Sequence, residues 1–168
     1  MVNYLVFRKT RSLRAQIFNR VALPSVLLYR NLFKNNKLSW EESRESLERF
    51  SEGTLGKQLS NFLYENSIDL QPKMENHDVF HVILGYNTSL PEEAALHFFL
   101  IGNNKKSRYA KIAALVGFAI FPEYISLYRS AYRRGKNTCH FTSWEFKDLL
   151  FMEVNQFRED IGLADRKD

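Results

Sequence analysis

Throughout this chain apolar residues recur at three- and four-residue spacing, and no stretch shows the sustained alternation with β-branched enrichment that a half-buried strand requires. The period restricts the chain to helices packed on helices. Length and composition agree: 168 residues, 45% hydrophobic and 26% charged, are enough to bury a core, and one cysteine, Cys139, excludes a disulfide framework or an all-cysteine metal site. The expected fold class is all-α, a single-domain helical bundle over residues 1–168.

Helix boundaries are read from caps and breakers. Ser39 with Glu42, Ser89 with Glu92, and Thr142 with Glu145 have capping-box spacing, and the last is expected to open a long helix toward Asp160. Gly53-Thr54-Leu55-Gly56 reads as a turn into a helix through Asn61, Phe62, Leu63 and Tyr64. Residues 66–75, with Pro72, read as a connector. A short helix from Asn76 is expected to stop at Gly85 in a left-handed cap, the next to stop at Gly102, and one later to stop at Gly135. Pro24 is expected to break or restart the Arg11–Phe33 helix, and Pro122 to kink or restart the apolar one before it.

The charge is asymmetric. Net charge is +5, and Arg8, Lys9, Arg11, Arg14, Arg20, Arg30, Lys34 and Lys37 precede the first acid, Glu41. Interleaved with apolar residues, this segment (1–20 above all) reads as a transit peptide, a nucleic-acid arm or a helix on anionic lipid, beside the plainer reading of a solvated basic face. Nucleic acid is the weakest of these, since no RNA-binding aromatic motif or zinc-finger spacing occurs. A membrane-surface role is expected. The most apolar run, Ile112–Phe121, is ten residues long, against roughly 20 needed to span a bilayer. It is expected to be a buried or interfacial helix, either packed in the core or lining a lipid-tail channel.

The chemistry concentrates at His77-Asp78-Val79-Phe80-His81, followed after eleven residues by Glu93. Side chains at i and i+4 lie one above the other on a helix, so His77 and His81 can aim both imidazoles at one point. Glu93 follows the Gly85–Leu90 turn, and an antiparallel helix pair would bring it back over them. Two neutral imidazoles and a carboxylate suit zinc or iron. Each imidazole must be neutral to bind, so metal affinity is expected to fall as pH drops through about 6.5, the ordinary histidine value. Asp78 is placed to ligate, to orient an imidazole or to act as a base. The candidate metal ligands are therefore His77, Asp78, His81 and Glu93, and the candidate catalytic residues Asp78 and Glu93. His97, one turn after Glu93, is more often structural than a further ligand. Asp78 stands where a zincin protease needs a glutamate, and the upstream histidine of HD-type phosphohydrolases is missing. Cys139 and His140 are expected to do nothing catalytic, and Arg129, Arg133, Arg134 and Lys136 to form a charge cluster at a helix C-terminus.

The His-Asp-x-x-His motif with its distant Glu93 resembles the signature of the Coq-four family of ubiquinone (coenzyme Q) biosynthesis proteins. Gly53-Thr54-Leu55-Gly56 with Phe62, Gly85, Ala131-Tyr132-Arg133-Arg134-Gly135, Trp144-Glu145 and Ile161-Gly162-Leu163 are similar to further family features, over roughly residues 20–163. The resemblance implies an all-helical, membrane-peripheral protein with a channel for an isoprenoid tail and a divalent metal. It implies oxidative decarboxylation of a polyprenylated hydroxybenzoate at ring carbon one, a lyase-type activity. Only Ile68–Asn76 stands where the family carries a longer insert and a basic helix. The alternative is a non-catalytic, metal-stabilised prenyl-lipid-binding or scaffold protein. Expected partners are a prenylated lipid or quinone precursor, an anionic membrane surface, other quinone-biosynthesis proteins and a second copy, with no nucleic acid. The expected location is the inner face of a bacterial membrane, or the matrix side of the mitochondrial inner membrane.

Overall fold

The computed structural model describes residues 38–166. The basic segment 1–20 and the Arg11–Phe33 helix with its Pro24 break lie outside the described residues. Among the described residues there are seven α-helices and no strand: α1 Arg44–Leu47, α2 Leu55–Asn66, α3 Glu75–Leu84, α4 Leu90–Gly102, α5 Arg108–Ile120, α6 Ile125–Asn137 and α7 Val154–Asp160. Short 3-10 turns occur at Pro122–Tyr124 and Lys147–Leu149, and the β-type pairing is one isolated bridge, Thr54 to Glu153. The chain is all-α. The described residues divide into two compact units, 38–83 with 145–154, and 84–144 with 155–166.

In the first unit, α2 begins at the expected turn. Thr54 is the N-cap and accepts from the Lys57 amide. The next two amides, Leu55 and Gly56, donate to the carbonyls of Met152 (2.8 Å) and Leu150 (2.9 Å). That use of carbonyls explains why Thr142 and Glu145 open no long helix: residues 142–153 run as turns, and only Val154–Asp160 is helical. Glu145 instead accepts from the Trp40 indole at 3.1 Å, and Phe146 buries its ring edge-on against Phe80. Ser39 likewise caps nothing, because its hydroxyl donates to Glu75. The first helix among the described residues, α1, starts one turn later, at a reciprocal Ser43–Ser46 box, and lasts four residues.

In the second unit α4 is the central helix, buried nearly all round. Gly102 on α4 and Gly135 on α6 mark where the two backbones meet: a Cβ on Gly102 would overlap the Tyr132 carbonyl, and one on Gly135 the Phe99 carbonyl. Gly135 is thus not the stop it resembles in sequence, and α6 runs on to Asn137. Asn103, 1% exposed, ties the end of α4 to the chain beyond α6. Its amide donates to the carbonyls of Gly135, Thr138 and Cys139, and its carbonyl accepts from the Phe141 amide. α5 and the Pro122–Asn137 stretch meet at 110°, so Pro122 restarts the helix, and among the described residues no single helix is long and apolar enough to cross a membrane. α5 buries only its small residues, Ala110, Ala114 and Gly117, while Ile112 and Leu115 are 60% and 66% exposed and Phe118 38%. Of the larger apolar side chains of that run, Phe121 is buried in the core, whereas Ile112, Leu115 and Phe118 stay exposed among the described residues.

Two predictions concern this unit. Gly135→Ala forces a methyl into backbone and should cost about 2 kcal/mol, read as a fall in melting temperature. Tyr128, fully buried, has no hydrogen-bond partner for its hydroxyl among the described residues, and burial pushes that hydroxyl up to about 12. Holding the proton in the folded state stabilises it fully below about pH 10, the ordinary tyrosine value, and that contribution is lost as pH rises toward 12. Tyr128→Phe should keep or gain stability at neutral pH, by about 1 kcal/mol, and should remove this part of the alkaline loss in melts compared at pH 8 and 11.

Candidate metal centre

The candidate ligands lie on α3 and α4, consecutive helices joined by residues 85–89. α3 is positioned at its start by Glu75, which is fully buried. One oxygen of its carboxylate accepts from the Ser39 hydroxyl (2.9 Å), the Trp40 amide (2.8 Å) and the Lys73 amide (2.9 Å). At the other end Gly85 adopts φ +72, the left-handed conformation that lets the chain leave the helix and turn back.

Within α3 the i, i+4 spacing brings the two imidazoles together, with ring centroids 4.9 Å apart and planes at 71°. Phe62 of α2 stacks on His81 at 5.3 Å, with planes 16° apart. That contact fixes the ring of the more deeply buried histidine: His81 is 3% exposed, whereas the His77 side chain is 19% exposed. Glu93 is 7% exposed, in the first turn of α4. One donor atom from each of His77, His81 and Glu93 lies within 4.8 Å of the other two. A tetrahedral ion bound at about 2.1 Å sets its donors about 3.4 Å apart. Two nitrogens and one oxygen fit a borderline divalent ion and leave coordination positions open for water or substrate.

Asp78 stands outside that group. One carboxylate oxygen is 3.7 Å from His77 Nδ1, too long for a hydrogen bond, and the other accepts from the Gln71 amide at 3.4 Å. It is 5% exposed, a buried carboxylate beside the three donors rather than among them. His97 also stands apart and meets the Tyr109 ring edge-on, with centroids 5.5 Å apart.

The surroundings contain one residue that the sequence did not mark, Glu75, and two whose partners it did not foresee, Glu92 and Arg134. Glu75 anchors α3 although no motif spacing singles it out. Glu92 has capping-box spacing from Ser89, yet the Ser89 side chain makes no capping bond, and Glu92 pairs with Arg166. Arg134, in the last turn of α6 with Lys136 as the charge cluster predicts, also has specific partners: its guanidinium donates to the carbonyls of Leu84 (2.8 Å) and Ala164 (2.7 Å). In the second unit a cavity of about 250 Å³ is lined by Phe98, Ile125, Tyr128, Arg129, Tyr132 and Arg133.

No protein-family model and no curated protein matches the sequence. Among solved structures, a crystal structure from Nostoc punctiforme PCC 73102, named a "putative ubiquinone biosynthesis protein", matches with a TM-score of 0.64. The match is 18% identical in sequence and covers 92% of this chain and 84% of that one. At this identity the likeness establishes the fold.

If the three-donor group binds metal, His81→Ala should leave less than about a tenth of an equivalent by elemental analysis, since no neighbouring donor replaces it. Asp78→Asn should retain metal, with affinity reduced by about tenfold or less. Loss of metal on Asp78→Asn equal to that on His81→Ala would make Asp78 a ligand.

Proposed function

We propose that the chain is a metal-dependent prenyl-lipid enzyme of quinone biosynthesis, acting in the manner of an oxidative decarboxylase on a polyprenylated hydroxybenzoate. The observation that carries this reading is the convergence of His77, His81 and Glu93, with the buried Asp78 beside them. The Coq-four resemblance of the motif supports it, as does a fold shared with a protein named for ubiquinone biosynthesis. A divalent ion, zinc or iron, would supply Lewis-acid polarisation or, as iron, oxygen chemistry. The protein's own contribution is to hold the donors and keep them dry. Phe62 fixes His81, Glu93 brings the carboxylate, and Asp78 holds or moves a proton at its carboxylate beside His77.

The substrate is proposed to arrive from an anionic membrane surface, on the inner face of a bacterial membrane or the matrix side of a mitochondrial one. Supporting this are the acid-free residues 1–40 and the exposed Ile112, Leu115 and Phe118 of α5. The second reading is a prenyl-lipid-binding or scaffold protein without turnover, presenting an intermediate to other quinone-biosynthesis proteins. The apolar-walled cavity beside α6 favours it, because such a cavity can hold part of a tail without any chemistry.

Purified protein loaded with zinc or iron(II), in liposomes carrying a prenylated hydroxybenzoate, decides between them. Carbon dioxide release with oxygen uptake, lost on His81→Ala, is expected for the enzyme. Tight binding of the unchanged compound with no gas exchange refutes it in favour of the scaffold.

A further inference from the structure

Arg166 makes one of the most extensive sets of polar contacts of any side chain near the α3–α4 turn, and it comes from the segment after α7. Both ends of its guanidinium fork engage the two carboxylate oxygens of Glu92: Nη1 donates to one at 2.6 Å and Nη2 to the other. Nη1 also donates to the Gly85 carbonyl at 2.9 Å, and the guanidinium lies over the Tyr86 ring, 5.0 Å from its centroid. A single side chain therefore grips the turn on both sides, at Gly85 where α3 has ended and at Glu92 in the first turn of α4. Glu92 also accepts weakly from the Asn87 amide, inside the turn. The Glu92 side chain is 10% exposed and that of Arg166 28%, so the pair is mostly shielded from solvent, where a forked, charge-assisted contact fixes geometry best.

The Arg166 backbone is itself held in place. Arg134 of α6 donates to the Ala164 carbonyl at 2.7 Å and to the Leu84 carbonyl at 2.8 Å, joining the segment that carries Arg166 to the last residue of α3. What this arrangement fixes is the start of α4, and Glu93 is the residue after Glu92. Ser89 supplies no side-chain cap to that helix, so the fork on Glu92 does the fastening that a cap would otherwise provide.

We propose that Arg166 is a positioning residue for the metal centre, holding Glu93 in ligand position by clamping Glu92 and Gly85. The inference rests on the metal reading of His77, His81 and Glu93. Its electrostatic sign separates it from a bystander's role. A guanidinium that acted only through charge would repel a bound cation, and its removal would tighten metal binding or leave it unchanged. A guanidinium that positions a ligand does the opposite, because its loss frees Glu93 and leaves Glu92 as an unpaired carboxylate beside it.

The test is a titration of the metal-free full chain with cobalt(II), following both affinity and the visible ligand-field absorption. Wild-type protein should bind about one equivalent. Arg166→Ala should bind at least about tenfold more weakly, with an altered absorption band, whereas Lys136→Ala, the loss of an exposed positive charge elsewhere, should change neither. Arg166→Lys keeps the charge but cannot make the fork, and should fall between the two. Arg166→Ala binding as tightly as wild type, or tighter, overturns the proposal while leaving the metal centre standing. If Arg166→Ala fails to fold, Arg166→Lys decides alone, and affinity and spectrum equal to wild type overturn it. Wild-type protein that takes up no cobalt refutes the metal reading itself, a result visible before any variant is compared.

Discussion

The last carbonyls of α3 have no partners within their own helix, and they carry the negative end of its dipole. Two guanidinium groups take them: Arg134 the carbonyl of Leu84, Arg166 that of Gly85. Much else follows from this contact. With Gly85 in the left-handed region, only residues 85–89 separate the end of α3 from the start of α4. Tyr86 lies against both guanidiniums, and burial raises its hydroxyl above the ordinary tyrosine value, against the lowering influence of Arg134 and Arg166. The ring stays neutral and serves as a flat support for two cations.

The buried helix α4 carries three titratable groups, Glu92, Glu93 and His97, among Ala94, Ala95, Leu96, Phe99 and Leu100. Burying such groups is costly unless each has a use. Glu92 is neutralised by Arg166, and Glu93 belongs to the donor group. The small residues beside them have a separate task. Gly117 of α5 fits against Ala94, and Gly102 and Gly135 bring the α4 and α6 backbones into contact, so that the helix with the polar load is also among the most tightly packed. Close packing of this kind removes the slack that would let buried carboxylates reorient.

The grouping of His77, His81 and Glu93 was legible in the sequence because helical geometry makes i, i+4 a spatial statement and because the turn between α3 and α4 is short, whereas Asp78, read as a further candidate ligand, lies outside that group. The ends of α3 and α4 were legible for a similar reason, Gly85 and Gly102 standing where a helix can stop. Gly135 was misread because the same residue type serves both as a terminator and as a site of close helix contact, and only the neighbouring helix distinguishes the two. The Thr142–Glu145 box had the right local spacing. It lost to long-range demand, as the carbonyls of Leu150 and Met152 were taken by the first amides of α2 and Glu145 by the Trp40 indole. Glu75 and Arg166 left no local signal, and Arg134 showed only as one of a charge cluster, since their long-range partners lie 30 or more residues away and no periodicity encodes that. Ile112, Leu115 and Phe118 followed the helical period faithfully, but the period says only that they share a face, not that the face is covered.

The separation between Arg166 and Glu92, 74 positions along the chain, also orders events during synthesis. The histidines and Glu93 leave the ribosome close together, and contacts local in sequence form on a microsecond scale. At the roughly 5–20 residues per second of translation, Arg166 follows several seconds later. For that interval the donors exist without the side chain that grips their turn. Only completion of the chain brings Arg166 to Gly85 and Glu92.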